Sequence, residues 1–149
     1  MTRMQNQKKR IIITGGSSGI GEAIGLEMAK SQHSFYLVGR NEQRLQGVAQ
    51  AIQEQGGIAY FGVGDVGNEQ AVERLFLDSQ EKLGGVDVLV ANAGVGFFGP
   101  LEQFTIEQFD QQFNTNVKGV FLWLRKCLPI MKQQNQGQII VTCLLYTSD

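Results

Sequence analysis

The residues best placed to do chemistry lie directly behind an apolar triplet: Ile11, Ile12 and Ile13 lead into Thr14, Gly15, Gly16, Ser17, Ser18, Gly19, Ile20 and Gly21. A turn of small residues between a strand and a helix lets backbone N–H groups approach an anion, and the positive end of the helix dipole stabilises it. In that context the expected anion is a pyrophosphate, and so a dinucleotide. Gly15, Gly19 and Gly21 form G-x-x-x-G-x-G, not the more common G-x-G-x-x-G. A triphosphate loop counted from Gly16 would need Lys and then Ser or Thr after Gly21. Glu22 and Ala23 stand there, and a carboxylate repels a triphosphate. The competing reading is a glycine-rich turn that holds nothing.

Other chemistries have little to work with. Cys127 and Cys143 are the only cysteines and His33 the only histidine. Neither a disulfide framework nor a Cys/His metal site can be assembled, and no metal is expected. His33, at a helix end, is expected in a loop and gives a Ser/His/Asp triad no support. A formal net charge of -1 creates no broad field for nucleic acid or an anionic membrane, so small molecules are the expected partners. Lys8, Lys9 and Arg10 read as a solvated flank. No apolar stretch approaches a membrane span and 11–13 is too short for a signal-peptide core, so a cytoplasmic protein is expected.

The elements that must position these residues alternate between strand-like and helix-like patterns. With 149 residues and 42% hydrophobic content the chain can bury one core. After the first strand, a helix over 20–31 should bury Ile20, Ala23, Ile24 and Met28, and 35–38 should form the second strand. Asn41 can cap a helix carrying Leu45, Val48, Ala49 and Ile52, stopped by Gly56 and Gly57 before a strand at 58–63. Asn68 can cap the next helix, with Val72, Leu75, Phe76 and Leu83 on its face and Gly84 and Gly85 at its end. A buried strand at 86–91 and a loop over 92–104 follow. Thr105 and Gln108 match a capping box for a fourth helix, whose apolar stripe is Ile106, Phe109, Phe113, Val117 and Leu124 and which Pro129 should kink or end. A fifth strand is expected at 138–142. Strand and helix in alternation predict an α/β fold: a doubly wound parallel sheet with helices on both faces and ligand atoms beyond the carboxyl ends of the strands.

Several separate motifs within 9–142 resemble those of the short-chain dehydrogenases/reductases. The TGGSSGIG loop is similar to the family's T-G-x-x-x-G-x-G cofactor motif, Asp65 and Val66 to its adenine-contacting pair, and Asn92, Ala93 and Gly94 to its N-A-G motif. Asn116, followed by Gly119, resembles the family's catalytic asparagine. The resemblance implies a Rossmann-type domain, here about five strands with later strands missing. It implies hydride transfer between a nicotinamide and a small carbonyl or alcohol, with a homo-oligomer expected at full length. It also implies cofactor contacts at Thr14, Gly15, Ser17, Ser18, Gly19, Ile20, Gly21, Asp65, Val66, Asn92, Ala93 and Gly94. Thr14 can hydrogen-bond within the turn, Ser18 and Ile20 can present groups to phosphate, and Gly94 lets the backbone lie against the cofactor. Each has a plainer competitor: Asp65 could simply make an Asx turn, and Asn116 could face solvent.

Cofactor choice turns on the end of the second strand, where Gly39 and Arg40 follow Val38. NAD-selecting folds place an acid near this point for the ribose 2'-OH, whereas a cation suits a 2'-phosphate. Arg40 therefore favours NADP over NAD.

The family's proton-handling groups are a Ser after the fifth strand and a Tyr followed four positions later by a Lys. At the first position stand Cys143 and Leu144, and Tyr146 has only Ser148 and Asp149 near the place of the lysine. Residues 143–149 resemble one reading frame of a transposon-type sequencing adapter. The native sequence is therefore expected to end near Thr142, with 1–142 the N-terminal part of one dinucleotide-binding domain and 143–149 a non-native tail. The full-length protein is expected to be an enzyme, and the 149 residues alone are not. A non-catalytic dinucleotide-binding or redox-sensing module is the alternative, and an unstable piece with an uncovered sheet edge is a third.

Overall fold

The computed structural model describes residues 7–143. Five strands, β1 (Arg10–Thr14), β2 (Ser34–Gly39), β3 (Ile58–Val63), β4 (Val88–Ala91) and β5 (Gln138–Val141), pair in parallel in the order β3-β2-β1-β4-β5. Ile12 lies opposite Tyr36 on one side and Leu89 on the other. The chain winds outward from β1 in both directions, so a crevice opens at the carboxyl ends of β1 and β4, where this architecture binds ligands. The doubly wound sheet is the one the alternating pattern predicts.

Side-chain alternation assigns each strand residue to a face. Ile11, Ile13, Phe35, Leu37, Val88 and Val90 pack under α1 (Gly19–Ala29) and α2 (Glu42–Glu54). Ile12, Tyr36, Val38, Leu89 and Ala91 point the other way, under α3 (Glu69–Leu83) and the later helix that carries Leu122, Trp123, Cys127 and Met131. With both faces covered, β1, β2 and β4 become continuous apolar runs.

Helix boundaries follow the expected caps. Asn41 Oδ1 accepts the Arg44 N–H at 2.9 Å, and Asn68 Oδ1 accepts the Ala71 N–H at 2.9 Å. Gly84 ends α3 in the left-handed region, with φ 71°. Leu45, Val48, Ala49 and Ile52 form the buried face of α2 as their spacing requires.

The first helix departs in part from its expected face. Gly21, Gly25 and Ala29 are buried and Ile24 and Met28 are half-buried against the core, whereas Ile20 is 43% exposed and Ala23 is exposed. Close approach to the sheet is the reason: a Cβ on Gly25 would lie 3.1 Å from Ile52 Cδ1 and 3.7 Å from Ile13 Cδ1. β4 begins at Val88, later than expected, because the Val86 N–H and carbonyl pair with the side chain of Gln134.

The helix expected after Thr105 is not continuous. α4 (Ile106–Phe113) passes into a π-helical turn (Asn114–Lys118) and then α5 (Gly119–Gln134). The wider turn changes which face meets the sheet. Leu122, Trp123, Cys127 and Met131 are buried; of the predicted stripe, Leu124 is half-buried against the same core, while Ile106, Phe109, Phe113 and Val117 are more than half exposed. Pro129 does not end α5, which runs on to Gln134 and stops at Asn135 in the left-handed region. Pro129 and Arg125 are exposed, so the carbonyl that the missing proline N–H leaves free can be solvated. No described helix is long and apolar enough to cross a membrane. Of the tail expected to be non-native, residues 144–149, with Tyr146 among them, lie outside the described residues.

Candidate functional site

The loop after β1 is shaped by how close its backbone comes to its neighbours. Gly15 sits at φ +67°, and a Cβ there would lie 2.9 Å from Ala93 Cα. At Gly21 the Cβ would lie 2.2 Å from the Gly15 carbonyl oxygen, a clash no side chain can relieve. Gly19, at φ +56°, has open space where its side chain would be, so no neighbouring atom crowds the amino end of α1 there. Ser18 stands at the N-cap of α1 with extended backbone, but its hydroxyl makes no capping bond. The loop is pinned to β2 by the Gly16 N–H, which donates to the Val38 carbonyl at 3.1 Å.

Thr14 does not hydrogen-bond within its own turn as expected. Its Oγ1 accepts the N–H groups of Asn92 at 3.0 Å and Ala93 at 3.1 Å. Asn92 Nδ2 returns a bond to the Gly15 carbonyl at 3.3 Å. The reason is the parallel register of β1 and β4, which sets Thr14 opposite Ala91 and brings the two carboxyl-end loops together.

One groove then collects Gly15, Ser17, Ser18, Arg40, Asp65, Val66, Ala93 and Gly94. Asp65 makes the plainer Asx turn, its Oδ1 accepting the Gly67 N–H at 2.8 Å; its Oδ2 has no hydrogen-bond partner among the described residues. Val66 turns its side chain into the core, where a Cβ on Gly119 would lie 2.7 Å from Val66 Cγ2. Only the Val66 backbone is left to face the groove. Ile20 is exposed at the start of α1 and is not among the groove's lining residues.

Asn116 sits in the π turn, and its side chain is not free. Oδ1 accepts the Val95 N–H at 2.8 Å and Nδ2 donates to the Val95 carbonyl at 2.8 Å. Beside it, Gln112 Oε1 accepts the Phe97 N–H at 3.2 Å. Sequence reasoning missed Gln112, although a polar residue one helical turn before Asn116 on an apolar-striped helix was a usable signal. Together with Asn92, Phe97 and Thr142 these residues border a second cavity of about 450 Å³, a size suited to a small molecule. Burial pushes the Cys127 thiol up to about 12, so it stays protonated at neutral pH and is no nucleophile.

The glycine cradle and the unobstructed helix end fit a dinucleotide pyrophosphate. A family model described as short chain dehydrogenase matches residues 9–147. A 3beta-hydroxysteroid dehydrogenase of Mediterraneibacter gnavus is 37% identical over 134 residues, which is 89% of this chain and 48% of that protein. An alcohol dehydrogenase of the archaeon Thermococcus sibiricus, solved with 5-hydroxy-NADP, superposes with a TM-score of 0.86 at 36% identity, covering 91% of this chain and 57% of that one. An NAD+-bound xylitol dehydrogenase superposes with a TM-score of 0.87 at 29% identity, covering 95% and 54%. The chain thus spans about half the length of the relatives it matches. The family match over nearly the whole chain, on a parallel sheet whose loops meet at one crevice, makes this chain a member of the short-chain dehydrogenase/reductase family.

Proposed function

We propose that the full-length protein is an NADP-dependent oxidoreductase that interconverts a small carbonyl compound and its alcohol. The observation that carries this reading is the single groove at the carboxyl ends of β1 to β4, where the glycine loop, Arg40, Asp65, Ala93 and Gly94 converge. When bound, a nicotinamide dinucleotide supplies the hydride. Gly15, Ser17 and Ser18, which line the groove, and the backbone of Gly19, Ile20 and Gly21 at the start of α1 hold the pyrophosphate, with Thr14 fixing the loop from below. Asp65 Oδ2 and the Val66 backbone take the adenine end, and Ala93 and Gly94 support the chain of the cofactor. Asn116 holds the 95–97 loop at the edge of the substrate cavity. Arg40, exposed and with no acid within 4.0 Å among the described residues, supports NADP over NAD.

Relatives solved with NADP-type and NAD+ ligands support a nicotinamide dinucleotide of either kind, so the choice rests on Arg40. Titrating NADPH and NADH against the chain and its Arg40→Asp variant tests it. NADPH preference that survives the substitution defeats the assignment.

The 149 residues are not proposed to turn over. Thr142 and Cys143 border the second cavity, the resemblance calls for a serine where Cys143 and Leu144 stand, and we read 143–149 as a non-native tail. Carbonyl-dependent NADPH oxidation by the 149 residues would refute the first reading, and codons for 143–149 in the native locus would refute the second. NADPH binding without turnover by a native chain of this length would favour the binding-module reading. The exposed stripe Ile106, Phe109, Phe113 and Val117 supports a homo-oligomer at full length.

A further inference from the structure

We infer that Arg44 is a second cation for the 2'-phosphate, acting with Arg40 across the Ser17 hydroxyl; this rests on the NADP reading given above. The arginines among the described residues fall into two groups. Arg10 is bound to Asp87, Arg74 Nη2 donates to the Val63 carbonyl at 2.9 Å, and Arg125 is paired with Glu69. Arg40 and Arg44 alone have no side-chain hydrogen bond and no acid within 4.0 Å among the described residues.

These two flank the same serines. Arg40 borders the dinucleotide groove with Ser17 and Ser18, and Arg44 borders the adjoining cleft with Ser17, Ser18 and Glu22. Ser17 sits at the seam because Gly39 lets it: a Cβ on Gly39 would lie 3.1 Å from Ser17 Oγ. The position that would carry a carboxylate in an NAD site is thus filled by the serine side chain resting on a glycine. Arg44 is held in the first turn of α2 by its N–H bond to Asn41 Oδ1. Helical side chains lean toward the amino end, here toward Arg40 and the loop. Two guanidinium groups on the same rim, neither ion-paired among the described residues, repel each other, and a dianionic phosphate between them removes that cost through charge-assisted bonds. Glu22 lines the same cleft but is beyond ion-pair distance from Arg44.

Calorimetric titration with adenosine 2',5'-bisphosphate and adenosine 5'-phosphate, which differ only in the 2'-phosphate, tests this on the full chain and its Arg40→Gln, Arg44→Gln and Arg44→Lys variants. Arg44→Gln is expected to weaken the bisphosphate by about tenfold or more and leave the monophosphate within about twofold, with Arg44→Lys between. Thermal unfolding of each variant separates loss of the contact from loss of the fold. If Arg40→Gln abolishes the preference for the bisphosphate and Arg44→Gln leaves it intact, Arg44 is only a solvated surface residue and the inference falls. If the unsubstituted chain shows no preference, the NADP reading falls and takes this inference with it.

Discussion

The side-chain amide of Asn116 and the backbone of Val95 form a reciprocal pair, Val95 N–H to Oδ1 and Nδ2–H to the Val95 carbonyl, each at 2.8 Å. Asn116 lies in the π turn and Val95 in the loop after β4, so this pair ties the wall of the second cavity to the segment that carries Gly94. A carboxamide carries a donor and an acceptor on separate atoms of one plane, so it can satisfy the N–H and the carbonyl of one residue at once.

Asn116→Asp removes the donor and sets a carboxylate against the Val95 carbonyl. The pair is exposed, so water can replace part of it, and we expect a loss of about 0.5–1.5 kcal/mol in urea unfolding and faster amide exchange at Val95. Unchanged protection at Val95 would show that the pair does not hold the loop.

Thr14→Val keeps the shape and removes the acceptor for the Asn92 and Ala93 N–H groups. Thr14 is only 3% exposed, so water cannot replace the hydroxyl fully. A destabilisation of about 1–3 kcal/mol is expected for Thr14→Val and much less for Thr14→Ser, measured by chemical denaturation. Equal losses for both would assign the effect to methyl packing.

Gly21→Ala places its Cβ 2.2 Å from the Gly15 carbonyl oxygen, backbone against backbone. The loop must open to admit it. Nucleotide affinity is expected to fall at least about tenfold, with a lower Tm, because a shift of this size misdirects the phosphate-facing N–H groups. Gly19→Ala meets no steric obstacle and is limited by its φ of +56°, so it should cost less.

His33 should make stability fall in mild acid. Its Nδ1 accepts the Lys9 N–H at 3.1 Å, and burial first, then the Lys9 charge, lowers its pKa below the usual 6.5. Between the depressed folded value and 6.5 the unfolded chain binds more protons, so stability is full above that window and is lost as pH falls through it. Unfolding free energies across the window should slope upward with pH in the parent chain and flatten in His33→Asn. An unchanged slope would mean that another group titrates there.

The sequence by itself determined the α/β order, the covered faces of α2 and α3, the caps at Asn41, Asn68 and Thr105, and the family to which the chain belongs. These are local signals: a period of two or of 3.6, a cap three residues from its partner, a run of glycines. The tertiary structure decided what depends on distance in space. It made Gly21, Gly25 and Ala29 the buried face of α1, because a helix crossing close to a sheet selects small residues over the larger apolar ones beside them. It turned one expected helix into two around a π turn and left the stripe from Ile106 to Val117 uncovered, because the face that packs is set by the sheet beneath, not by the pattern alone. It also sent the Thr14 hydroxyl across to Asn92 and Ala93, since only strand pairing makes residues 78 and 79 positions apart neighbours.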